Sequence, residues 1–162
     1  MKIDQIPVPD GTLIAPYAHK AGHYTDCFET PVAAPVSLAA FIHAFYTQPL
    51  FKAERVVLRL AAGQSSTDAD AQALADGDSQ QFAVWTVAGR TETEVLLAER
   101  SGRTMSWLMV TPAALRFGSV VVPVRQRSGK LTLGPVFNSL VGPHKVYSRA
   151  LLSGAARRAQ TR

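Results

Sequence analysis

The stretch Phe82–Gln126, FAVWTVAGRTETEVLLAERSGRTMSWLMVTPAALRFGSVVVPVRQ, decides the fold. Four segments in it are apolar enough for strands: Phe82–Ala88, Glu94–Arg100, Arg103–Val110 and Leu115–Arg125. The turns between them are short and carry Gly89, Ser101-Gly102 and Pro112. Connections this short join antiparallel neighbours, so the stretch predicts a meander. With Ser101-Gly102 as a two-residue turn, Ala98 pairs with Met105 and Leu96 faces Trp107. With Pro112-Ala113 as another, Trp107 lies opposite Gly118 and Met109 opposite Arg116. One face then holds Leu96, Ala98, Met105, Trp107, Met109, Arg116, Gly118, Val120 and Val122; the other holds Val95, Leu97, Leu108, Phe117 and Val121. A large ring beside a glycine marks the Trp107 face as the concave, packed or ligand-lined one. A slip of one residue would exchange the two faces. Pro123 predicts an edge or a bulge near the end of the last strand.

Upstream, residues 1–22 contain Pro7, Pro9, Pro16, Gly11 and Gly22 and read as an irregular arm, with a short extended piece at Thr12–Ala15. His23–Val32 is a candidate strand with Tyr24, Asp26 and Phe28 on one face. Ser37 can cap a helix whose apolar face is Leu38, Phe41, Ile42 and Phe45. Pro49 opens a second helix, running through Leu60 to Gly63 with Leu50, Ala53, Val57 and Leu60 as its buried stripe. A short third helix covers Thr67–Asp76 and closes at Asp76-Gly77-Asp78. Downstream, Gly129–Leu140 is a connection and Gly142-Pro143 opens a final helix to about Arg158. Its stripe is Val146, Tyr147, Ala150, Leu151, Gly154 and Ala155.

Length and composition bound the rest. At 162 residues the chain suits one domain, residues 23–158, with the arm before it and a basic tail, residues 159–162, after it. Apolar residues make up 47% and charged residues 18%, which excludes a disordered chain. Cys27 is alone, so no internal disulfide or multi-cysteine metal site is expected. No apolar signal core and no run of ~18 apolar residues is present, so a soluble, cytoplasmic protein with no membrane partner is expected. The net charge of +5 is unevenly distributed: all twelve carboxylates lie at or before Glu99, while eleven Lys or Arg and no carboxylate follow it. Interleaving of the halves would neutralise this; a basic face or pocket for an anion is the sharper alternative. The basic residues are spread out and lack an RNA-binding signature, so no nucleic-acid partner is expected.

The order of strand, short helices, antiparallel meander and long C-terminal helix resembles the START-like helix-grip superfamily over residues 23–158. The texture of Ser106-Trp107-Leu108-Met109-Val110 and Tyr147-Ser148-Arg149-Ala150-Leu151-Leu152 resembles an uncharacterised bacterial branch of it. The resemblance implies an α+β domain in which a curved antiparallel sheet grips the last helix, with two or three short helices after the first strand. It also implies an apolar cavity between sheet and helix. The cone-shaped fold resembling nuclear transport factor two is the rival, but such domains normally end on a strand.

Candidate chemistry is sparse. The chain has no G-x-S-x-G elbow, phosphate-cradling glycine loop or dinucleotide fingerprint. His19 and His23 stand four apart but in a segment unsuited to a helix, so neither metal nor cofactor is expected. Cys27 reads as a small buried hydrophobe. Glu99, His144 and Tyr147 are the candidate acid–base groups; the last two, three apart on the final helix, share a face. The expected ligand wall is Trp85, Met105, Trp107, Met109, Arg116, Val120, Tyr147 and Leu151. If its face is internal, Arg116 needs an anion or a carboxylate such as Asp26, because an unpaired buried charge is costly. The leading expectation is a binder of a small hydrophobic molecule, neutral or anionic. A cyclase- or dehydratase-like enzyme is one alternative. A protein-interaction module, a homodimer joined through the second apolar sheet face, is another.

Overall fold

The architecture comes from a computed structural model that describes residues 1–52, 65–133 and 135–161, with backbone alone for 135–140. In chain order the elements are β1 (Asp4–Gln5), α1 (Ala15–Ala18), β2 (Tyr24–Pro31), α2 (Leu38–Thr47), α3 (Asp68–Asp76), β3 (Gln81–Phe82), β4 (Trp85–Arg90), β5 (Glu94–Glu99), β6 (Thr104–Val110), β7 (Ala114–Val121), β8 (Val124–Arg125), β9 (Leu131–Thr132) and α4 (Pro135–Gln160). Among the described residues, seven strands form one antiparallel sheet in the order β1-β2-β7-β6-β5-β4-β3, and β8 and β9 form a separate hairpin. This is an α+β fold with a long C-terminal helix laid on the sheet, a helix-grip arrangement. No helix among the described residues is long and apolar enough to cross a membrane.

The meander has the register its turns dictate. Ala98 pairs with Met105, Leu96 with Trp107, Trp107 with Gly118 and Met109 with Arg116. Two expected strands are broken. Phe82–Ala88 folds back on itself as β3 and β4, through a turn in which Ala83 takes the left-handed φ of 52°. Leu115–Arg125 stops at Val121, and Pro123 separates it from β8.

Helices cover one sheet face and the N-terminal arm covers the other. On the helical side, Phe28, Val95, Leu97, Leu108, Leu115 and Phe117 pack with α2, α3 and α4 in the main core. On the arm side, Cys27, Leu96, Trp107 and Val120 pack with Ile14 in a second core. The expectation that the Trp107 face lines the cavity is therefore reversed. Periodicity sorts residues into two faces but does not say which one a helix covers. The face expected to mediate a homodimer lies under helices.

The arm is tied down by backbone and side chain. Asp4 and Gln5 pair with Glu29 and Phe28, so the extended piece is here and not at Thr12–Ala15. Pro16 lies instead in the first turn of α1, where its missing N–H costs nothing. Leu13 N donates to the Glu94 carboxylate at 2.9 Å, and the same oxygen accepts from Trp107 Nε1 at 2.7 Å.

The helices start and stop as local chemistry requires. Ser37 Oγ accepts from Ala40 N ahead of α2. Thr67 and Asp70 form a reciprocal capping box ahead of α3, and Gly77 ends it at φ 87°. Residues 49–52 are helical, with Leu50 exposed; the remainder of that expected helix and its stripe at Ala53, Val57 and Leu60 lies outside the described residues. The last helix begins at Pro135, not at Gly142-Pro143, and runs through Pro143. Proline removes one helical donor without ending the element here. Its buried stripe is Ser148, Leu151, Leu152, Ala155, Ala156 and Ala159, while the expected Val146 and Ala150 face solvent.

Candidate functional site: a cavity under the last helix

A cavity of about 550 Å³ lies between the sheet and α4. Apolar walls come from Phe45 and Phe51 on the helical layer, Phe117 and Val121 on β7, Trp85 on β4 and Leu151 on α4. The α-helical repeat puts His144, Tyr147, Ser148 and Leu151 along this wall at i, i+3, i+4 and i+7. Of the residues expected to bind ligand, Trp85, Tyr147 and Leu151 border the cavity. Met105 and Val120 touch its boundary but belong to the second core. Trp107, Met109 and Arg116 lie across the sheet under the arm. Arg116 pairs there with its cross-strand neighbour Glu29 at 2.6 Å, not with Asp26. Glu99 and His144 both border the cavity. Glu99 accepts from Ser101 N at 3.0 Å and from the Ser101 hydroxyl, as a hairpin-end carboxylate does. Cys27 is fully buried on the arm side, and burial pushes its thiol up to about 12.

The polar end of the cavity centres on Asp26. Strand alternation points Tyr24, Asp26 and Phe28 to the helical side, and the β2–β7 register sets Asp26 opposite Ser119. The Asp26 side chain has no solvent exposure. Its Oδ1 accepts from Ser119 N at 3.0 Å and Ser119 Oγ at 2.5 Å; Oδ2 accepts from Tyr24 OH at 3.0 Å and lies 3.2 Å from His144 Nε2. Burial alone would raise this carboxyl, but the hydrogen bonds from His144, Ser119 and Tyr24, with the His144 charge, hold it below the ordinary carboxylate range. The Tyr24 phenol is pushed up, first by burial and then by Asp26. Next along the sheet, Ser106 is opposite Ser119, and its hydroxyl lies 3.3 Å from Tyr46 OH.

The sequence alone gave no weight to Asp26, Ser119 or Tyr24 as a group. The signal was present: a carboxylate on the otherwise apolar inward face of β2. Its partners depend on a pairing between strands about ninety residues apart, which no local turn specifies.

Basic side chains gather at the same end of the sheet. Arg100 and Arg103 flank the β5–β6 turn beside Glu99 and Thr104, and Arg125, Arg127 and Lys130 lie on the β8–β9 hairpin that follows Val121. All five are exposed, and among the described residues none has an ion-pair partner. The cavity wall itself contains neither Lys nor Arg among the described residues. Comparison with protein-family models, curated proteins and solved structures gave no match.

Proposed function

We propose that the protein is a START-like binder of a small, predominantly apolar molecule, held between the sheet and α4. The observation that carries this reading is the cavity of about 550 Å³ with Phe45, Phe117, Trp85 and Leu151 in its wall and a few polar groups at one end. That size and mixture fit a small-molecule site, where apolar area supplies affinity and a few polar groups fix orientation. The Trp85 Nε1–H adds a second cue. It is buried and has no acceptor among the described residues, and a ligand oxygen or an ordered water can recover that lost bond. Among the described residues the wall carries no Lys or Arg, which favours a neutral ligand body. The basic rim favours attraction of negatively charged molecules to the mouth, through a field that salt screens.

Extraction of the purified protein with organic solvent, followed by mass spectrometry, tests this reading. The expected result is one apolar species in near-stoichiometric amount that is missing from a mock preparation. Protein that is repeatedly empty and does not take up apolar probes contradicts it.

A further inference from the structure

We infer that His144 is a general base at the cavity wall, fixed by Asp26 and Ser119 to take a proton from a carbon next to a carbonyl in a neutral, largely apolar ketone or ester. This inference rests on the cavity reading above and adds a reaction to it.

Hydrogen-bond accounting fixes the imidazole. The Ser119 hydroxyl gives its hydrogen to Asp26 Oδ1 at 2.5 Å, so at its 2.9 Å contact with His144 Nε2 it can only accept. Asp26 Oδ2, 3.2 Å from the same nitrogen, is also an acceptor. Among the described residues, the remaining neighbour of Nε2, the Ser148 hydroxyl, is farther away at 3.5 Å and can accept as readily as donate. The two nearer contacts are both acceptors, so they place the proton on Nε2. In the neutral ring the lone pair then sits on Nδ1, which has no partner among the described residues. A carboxylate behind one nitrogen and a free lone pair on the other is the arrangement that makes a histidine an effective base. It is not a serine-nucleophile relay, since Ser119 and Asp26 both address the same ring nitrogen and the serine proton belongs to Asp26.

The step balances without a further reagent. The C–H bond breaks, its electron pair passes into the enolate, and the proton goes to Nδ1. Asp26 then faces an imidazolium whose positive charge it stabilises. The same nitrogen returns a proton to carbon. An apolar cavity suits a substrate that is neutral before the step.

The test uses 2-tetralone, a flat ketone with exchangeable α-hydrogens. Its hydrogen–deuterium exchange in D₂O is followed by proton NMR with the full-length protein, and its binding by the Trp85 indole resonance. The wild type should accelerate exchange, and His144→Gln should bind the ketone yet lose about 100-fold or more of the acceleration, the scale of general-base catalysis. Asp26→Asn should shift the pH–rate profile to lower pH, a change that loss of packing alone does not produce. Bound ketone that exchanges equally fast in His144→Gln overturns proton transfer while leaving the binder reading intact. Failure of the ketone to bind overturns the cavity reading, and proton transfer falls with it. Because a His144 variant can misfold, the imidazole ¹⁵N shifts of the unaltered protein supply an independent check: the neutral ring should be protonated at Nε2, and a ring protonated at Nδ1 refutes the assignment.

Discussion

Gly118 shows how much one missing side chain can decide. A Cβ there would come within 2.7 Å of the Asp26 carbonyl and 3.0 Å of both Ile14 and Trp107. Gly118→Ala should therefore destabilise the protein by about 1–3 kcal/mol in chemical denaturation, through overpacking; an unchanged midpoint would mean that β2, Trp107 and the arm do not close on Gly118 in this way. Asp26 makes a different demand. Its carboxyl is lower in the folded than in the unfolded protein, so the stability it contributes is fully present above the ordinary range near ~4 and disappears as pH falls through the lower folded value. Asp26→Asn should accordingly show a flatter loss of stability below about pH 4 than the wild type. Parallel acid-unfolding curves would contradict the assigned hydrogen bonds. The Trp107–Gly118 pairing was legible in the sequence because one short turn, at Pro112-Ala113, sets it. The Asp26–Ser119–His144 cluster was not, because it joins β2, β7 and α4 through contacts 25 and 93 residues apart in sequence.

At the scale of elements, alternation and turn chemistry located β5, β6 and the start of β7 closely, and Ser37 and Gly77 marked helix ends. Punctuation misled in two places. Nothing in Phe82-Ala83-Val84-Trp85 signals a turn, because the positive φ falls on alanine and not on glycine. Gly142-Pro143 looks like a helix start, yet α4 passes through it. The arm was the largest surprise. Its prolines suggested a loose lead-in, whereas Ile14 is fully buried and Glu94 joins Leu13 to Trp107. Glu94→Ala leaves two donors without that acceptor, at a cost of about 1–3 kcal/mol for each one that stays buried. Hydrogen exchange should then speed up at Leu13 and its neighbours in the arm while α4 amides keep their protection. Unaltered protection at Leu13 would show that the arm is held by packing alone.

At the scale of the whole molecule, the charge imbalance along the sequence becomes a spatial one. Among the described residues, five of the cations that follow Glu99 stand exposed without an ion-pair partner, on the β5–β6 turn and the β8–β9 hairpin. Which sheet face the helices would cover was beyond local patterning, since both faces are apolar. The two tryptophans report on that choice, one on each side: Trp85 borders the cavity, and Trp107 is bonded to Glu94 beneath the arm. Titration with 1-naphthol, a neutral aromatic probe, can be followed on their two indole N–H resonances. A saturable shift of the Trp85 signal with the Trp107 signal unmoved is the predicted result; no saturable shift at Trp85, or a shift confined to Trp107, would contradict a ligand site between the sheet and the last helix.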